Sequence, residues 1–245
     1  MVIAITNHKG GVGKTTSAIN IGAGLCKLKK KVLLIDLDPQ ANLSQSLGIR
    51  DYSYTIYGAI KGDHPIYPLL VVKGLDVVPS TLDLSGAEIE LSSTIGREYI
   101  LRELLEPIKN NYDYVIIDSP PSLGLLTVNA LTSADEILIP LQAQYLALQG
   151  LTKLMEIVEK IQRHLNKSLQ VGGVFITQYD SRKILNRNVV EAIQEHFKSR
   201  VFKTKIRDNV ALAEAPTKGQ DIFRYNAHSY GAVDYLALCR EILKR

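Results

Sequence analysis

The first sixteen residues constrain this chain most. A short apolar run, Val2–Thr6 (VIAIT), enters a glycine-rich stretch, NHKGGVGKTT (7–16), and a helical pattern follows from Thr15. Gly10, Gly11 and Gly13 give the backbone conformations closed to other residues, so successive N–H groups can converge on one anion. The N-terminus of the helix adds free N–H groups and partial positive charge. Lys14 is placed to reach the β- and γ-phosphates of a nucleotide, and the Thr15 hydroxyl to ligate Mg²⁺. The segment Lys9, Gly10, Gly11, Val12, Gly13, Lys14, Thr15 and Thr16 is therefore the candidate phosphate cradle.

Other apolar runs share the character of the first. Val32–Asp36, Tyr114–Asp118, Ile137–Leu141 and Val171–Thr177 are β-rich and almost continuous in hydrophobicity, as strands buried on both faces are. Leu75–Val78 and Arg200–Lys203 are further candidates. Helix-length stretches lie between them at 15–28, 97–109, 145–165, 187–198 and 230–244. In the fourth, Val189, Val190, Ile193 and Phe197 share one face. Residues 50–68 carry several Tyr, Gly and Pro and predict surface loop with a short helix. Alternating strand and helix predicts an α/β fold, a doubly wound, mostly parallel sheet with helices on both faces. With 245 residues, 46% of them hydrophobic, one domain over 1–245 with a sizeable core is expected. No signal peptide and no membrane span are expected, since glycines and Lys9 interrupt the first apolar run. Cys26 and Cys239, each within a helical pattern, are expected as buried free thiols of a reducing cytoplasm.

Mg²⁺ requires a hard oxygen partner near the phosphates. Asp118, closing the run YVIID before Ser119-Pro120-Pro121, is in place to serve as one. Asp36 and Asp38, in VLLIDLDPQAN, are the other strand-end carboxylates.

The usual form of a phosphate loop is GxxxxGK[ST]. Counting back from Gly13–Lys14, its first glycine falls at position 8, where this chain has His8, and Lys9 follows at once. One lysine is enough to hold a nucleotide phosphate, and this loop has two. KGGVGKTT resembles the deviant Walker A motif of the ParA/MinD family of ATPases. The resemblance implies that Lys9 reaches across an ATP-sandwich homodimer to the phosphates held by the partner subunit. Such a cation offsets charge growing on the bridging oxygen, much as an arginine finger does. It implies Asp118 as the Walker B residue before a switch II loop. It also implies DxDPQxN as switch I, with Asp38 orienting the attacking water and Asp36 supporting the phosphate and Mg²⁺ region.

The likeness continues along the chain. Gln142 and YLALQG (145–150) resemble the family's EYFALEG segment, with Gln142 and Gln149 where acids are frequent. IRDNVALAEAPTKG (206–219) resembles IPRNVRLSEAPSHG, and Asn209 is implied at the adenine pocket. The ParA branch is implied: ATP-dependent partition of a plasmid or chromosome, weak ATPase activity stimulated by a ParB-like partner, and a cytoplasmic, nucleoid-associated location. Asp208 and Ala211 depart from the family, standing where arginines are frequent. Residues 1–170 carry 16 basic and 17 acidic residues, a net of −1, whereas 171–245 carry 13 and 8, a net of +5. Arg182, Lys183, Arg187, Lys198, Arg200, Lys203, Lys205 and Arg207 are thus the candidates for non-specific DNA contact, through phosphates rather than bases.

Other members of the superfamily fit less well. A MinD-like membrane-associated positioning ATPase needs a free amphipathic C-terminal helix, whereas AVDYLALCREILKR (232–245) also suits a last helix packed through Leu236, Leu238, Ile242 and Leu243. A nitrogenase-reductase-like protein needs cysteines beside the switch loops, a tyrosine kinase a tyrosine-rich tail, and an amidotransferase an added domain. Opening directly on the first strand, the chain is expected to have no N-terminal sequence-reading domain.

Overall fold

The apolar runs pair side by side. The computed structural model describes residues 1–144 and 147–245, with the backbone alone at 147–149. Its strands are β1 (Val2–Ile5), β2 (Val32–Asp36), β3 (Leu69–Val72), β4 (Leu75–Val78), β5 (Tyr114–Asp118), β6 (Glu136–Gln142), β7 (Gln170–Tyr179) and β8 (Val201–Arg207). They form one sheet in the order β3-β4-β2-β5-β1-β6-β7-β8. Every neighbouring pair is parallel except β3–β4, an antiparallel edge. The expected doubly wound, mostly parallel sheet is what the chain forms.

Alternate strand residues feed two cores. Ile3, Ile5, Leu34, Ile116, Leu138 and Phe175 pack with α1 (Lys14–Lys27), α2 (Asn42–Ser46) and the last helix, α11 (Tyr230–Ile242). Val2, Ala4, Leu33, Ile35, Val115 and Ile139 pack with helices on the opposite face. Those are α3 (Ile56–Lys61), α4 (Ala87–Glu90), α5 (Ile100–Leu105), α6 (Leu125–Ser133), α7 (Ala147–His164) and α8 (Ile184–Phe197). Two short helices, α9 (Val210–Glu214) and α10 (Ile222–Tyr225), close a small third cluster against α11. Gly22 lets α1 lie close on the sheet, since a Cβ there would stand 2.6 Å from Leu34 Cδ2.

Several boundaries differ from expectation for physical reasons. In the stretch 97–109 the α-helix is confined to α5, which stops at Leu105; Glu106 keeps helical dihedrals, but Pro107 has no N–H to continue the hydrogen-bond ladder. β3 falls outside the expected strands although its residues, LLVV, are all apolar; it is a half-exposed edge strand directly after the Tyr-, Gly- and Pro-rich stretch 50–68. α6 likewise falls outside the expected helices, because LLTVNALTS scatters polar and apolar residues around the helix and shows no 3.6-residue stripe. β8 extends to Arg207 rather than ending at Lys203. Tyr145, Leu146 and the side chain of Gln149 lie outside the described residues. In α8, Val190, Ile193 and Phe197 are buried and Val189 packs beside them, as the pattern predicts. Cys239 is buried, Cys26 only half-buried, and both are free thiols.

Candidate functional site

β1 is central, and its neighbour β5 ends level with it: Ile5 pairs with Asp118, and Asp118 in turn with Asp36 of β2. The glycine loop therefore emerges between strand ends that carry carboxylates, at the carboxyl edge where open α/β sheets place ligands. Gly11 and Gly13 adopt φ of 73° and 87°, the left-handed region that glycine alone enters freely. Gly13 caps α1, whose first residue is Lys14. Nothing stands within 4 Å of the side-chain positions of Gly10 and Gly11, so the loop presents open space above its backbone.

The two lysines of the loop part company. Lys14 is 7% exposed, and its ammonium donates to the Lys9 carbonyl at 3.1 Å. Burial pulls its pKa down, and the nearby carboxylates of Asp118 and Asp38 oppose that shift. The Lys9 side chain instead runs along the rim and its Nζ donates to Gln144 Oε1. The Lys9 backbone is fixed separately, its N–H donating to Asn7 Oδ1 at 3.0 Å. Asn7 is held in turn by Nδ2 on the Pro140 carbonyl.

The three carboxylates differ in what satisfies them. Asp118 is fully buried, and neither of its oxygens has a hydrogen-bond partner. Burial raises its pKa well above the carboxylate range, and the charge of Asp36 adds to the shift; the Thr15 hydroxyl lies close enough to oppose it without closing a hydrogen bond. A buried carboxylate without a hydrogen bond is costly, and the nearby Lys14 charge offsets only part of that; a hard cation held between Asp118 and Thr15 would remove the rest. Asp36 is already engaged. Its Oδ2 accepts from Ser44 N at 2.9 Å and Ser44 Oγ at 2.6 Å, and its Oδ1 accepts from Asp38 N at 3.3 Å. Burial nonetheless raises its pKa to about 6. Asp38, 7% exposed, accepts from Gln40 N at 2.9 Å. It leads into Ala41, whose φ of 53° turns the chain into α2.

Some supporting residues carry no local signal in the sequence. At the end of β7, Thr177 Oγ1 donates to the Val12 carbonyl and Gln178 Nε2 to the Gly11 carbonyl, both at 2.8 Å. Gln178 holds φ at 50°, and its Oε1 accepts from Gln142 Nε2. These bonds turn loop carbonyls toward β7 and leave the loop N–H groups for a ligand. Alongside lies a cleft of about 180 Å³ lined by Gly13, Thr16, Thr177, Gln178, Asn209 and Leu212, among others. The Oδ1 of Asn209 is buried there without a partner. A second contact ties this side to the segment that follows β2. Gly48, two residues beyond α2, and Gly219, after the EAP stretch, touch backbone to backbone; a Cβ on either would lie 3.0–3.2 Å from the other's Cα.

Comparison with known proteins agrees with this geometry. A family model described as an AAA domain matches residues 1–171, which hold the loop and all three carboxylates. The chain is 48% identical to the sporulation initiation inhibitor protein Soj of Bacillus subtilis, over 98% of this chain and 97% of that one. It is 47% identical to the chromosome partitioning protein ParA of Myxococcus xanthus, over 100% of this chain and 88% of that one. The chain belongs to the ParA/Soj family of partitioning ATPases. Among solved structures it superposes at a TM-score of 0.87, with 33% identity, on cobyrinic acid a,c-diamide synthase from Mycobacterium smegmatis with bound ADP and magnesium. That match covers 99% of this chain and 94% of the other.

This ParA/Soj chain does not gather its candidate DNA residues into one patch. Arg182, Lys183 and Arg187 surround the start of α8, at the carboxyl edge of the sheet. Lys198, Arg200 and Lys203 lie at its far end, beside Lys244 and Arg245. α8 has 14 residues, so the two groups stand about 20 Å apart. Three members have partners of their own. Arg207 is forked onto Asp234, with Nε–Oδ2 2.9 Å and Nη2–Oδ1 2.7 Å, and stacks on Tyr230. Arg182 pairs with Asp180 but is 88% exposed, and Lys205 lies over the Tyr179 ring. Of the family departures, Asp208 is exposed and Ala211 buried.

Proposed function

We propose that this chain is a partition ATPase that closes into a dimer around ATP, holds DNA without sequence preference in that state, and releases it on hydrolysis. The observation that carries the reading is the divergence of the two loop lysines, one turned inward and the other lying on the rim. The site fits ATP and Mg²⁺. The loop N–H groups and Lys14 would hold the phosphates, Thr15 and Asp118 the metal, and the unpaired Asn209 Oδ1 the amino group of adenine. Mg²⁺, when bound, supplies positive charge to the phosphates and to the buried Asp118.

Asp38, steadied by the Gln40 N–H, stands to orient the attacking water. Asp36, with its oxygens engaged by Ser44 and Asp38, supports the metal region from behind. Lys9 completes the site of a second subunit, so turnover by a lone chain is slow and dimerisation depends on ATP. DNA contact along α8 and β8 is weak per subunit and becomes effective when two subunits are paired. A ParB-like partner stimulates hydrolysis, and the protein works in the cytoplasm on the nucleoid. The MinD-like alternative has less support. The buried face of α11, Tyr235, Leu238, Cys239 and Ile242, is packed on the domain, with Leu243 beside it. Among the described residues no helix is long and apolar enough to cross a membrane.

Lys9→Ala tests the proposal. With ATP, size-exclusion chromatography is expected to show a monomer that still binds nucleotide, and filter binding to show no ATP-dependent DNA retention. A variant that dimerises on ATP with ordinary affinity overturns the trans role.

A further inference from the structure

Away from the nucleotide site, α7 and α8 leave a groove of about 630 Å³ between them. Its floor is apolar, formed by Leu151 and Met155 of α7 and Ala192 and Phe197 of α8. Leu151 and Phe197 also belong to the core, so the floor is a firm surface and not a loose flap. The rim is acidic, with Glu156 and Glu159 on α7 and Glu195 on α8. All three carboxylates are exposed, and none has an ion pair among the described residues. A basic protein would be expected to cover its acids with its own lysines. Here the last third of the chain has five more basic than acidic residues, yet this rim stays uncompensated. At the end near His196 the groove runs on toward Lys198 and Arg200, so its charge changes sign along its length.

We propose that the α7–α8 groove is a docking site for a basic amphipathic helix of a partner protein. Residues 151, 155 and 159 recur at helical spacing and span about 12 Å, enough for roughly two turns of a third helix laid between α7 and α8. An apolar floor takes anchors at i, i+3 or i+4, and i+7. The three carboxylates select lysine or arginine on the flanks of that helix and give the complex its salt dependence. The change of sign at Lys198 and Arg200 sets the direction, with the basic stretch of the partner lying over Glu156, Glu159 and Glu195. This site is separate from the nucleotide reading and does not depend on it.

The test uses the whole protein and a fluorescein-labelled 18-residue amphipathic helix made of leucine and lysine, read by anisotropy. A control peptide carries glutamate at every lysine position. The expected result is binding of the lysine peptide and none of the glutamate peptide. Glu156→Gln, Glu159→Gln and Glu195→Gln together should weaken binding at least about tenfold and flatten its salt dependence. Ala192→Phe, which fills the floor without changing charge, should weaken it as well. ATPase activity without peptide should match wild type in both variants, since neither touches the nucleotide site. No binding by the wild type, equal binding by the triple variant, or equal binding of the glutamate peptide overturns the proposal.

Discussion

Single residues in this site are poised between structural cost and chemical use. Asp118 is the clearest case: a carboxylate with no exposure and no hydrogen bond destabilises the empty fold. Asp118→Asn should therefore raise Tm without nucleotide, by several degrees for about 1–2 kcal/mol regained. The same change should abolish the Mg²⁺-dependent part of ATP binding; calorimetry with and without EDTA reads both effects. Thr177 is the opposite case. It is buried beside the cleft that Asn209 lines, and its hydroxyl is committed to the Val12 carbonyl. Thr177→Val should weaken nucleotide binding about fivefold, for roughly 1 kcal/mol of lost bracing, while kcat at saturating ATP stays close to wild type. A fall in kcat with unchanged affinity would show that the bond acts on chemistry instead. Replacing Gln178 by glycine combines two opposed effects, relaxing the positive φ while removing the bond to Gly11.

Among the elements, α2 has the most to lose. It is five residues long and far below the length at which a helix stands alone. Ser44 ties it down twice, donating its hydroxyl to Asp36 and accepting from Ser80 N at 3.1 Å. Ser44→Ala should cost about 2–3 kcal/mol and lower Tm by about 5–10 °C, a shift that differential scanning calorimetry resolves. The elements also show how far sequence carries. β2, β4 and β5 have the bounds their apolar runs predict, because burial on both faces leaves a continuous signature. β3, LLVV, is apolar but a half-exposed edge strand next to the loop-like stretch 50–68, and α6 scatters its polar residues around the helix, so no face sets its period. In the site, the loop and Asp118 are legible because their chemistry lies within a few consecutive residues. Thr177 and Gln178 are not, since each meets the loop across more than 160 residues of chain. Ser44 lies in α2 and looks like any polar helix residue until Asp36 is placed against it.

Across the whole molecule, part of the charge excess of the last third divides into two groups. They stand at opposite ends of α8, about 20 Å apart, too far to act as a point site. Changing Arg182, Lys183 and Arg187 to alanine should reduce the slope of log K against log salt for DNA by about 2–3, near 0.9 for each phosphate no longer neutralised. Arg207→Ala should leave that slope unchanged and instead lower Tm, because its guanidinium is committed to Asp234. Filter binding across a salt series, alongside a thermal melt, distinguishes the two outcomes. The bare abutment of Gly48 on Gly219 matters at this scale too. With no side chain between them to cushion displacement, the turn after α2 and the turn before α10 stand as meshed teeth. Under the proposed function, a shift of α2 when phosphate departs would have to drag or jump the opposite turn, so the cleft at Asn209 would register the loss of the far end of the nucleotide.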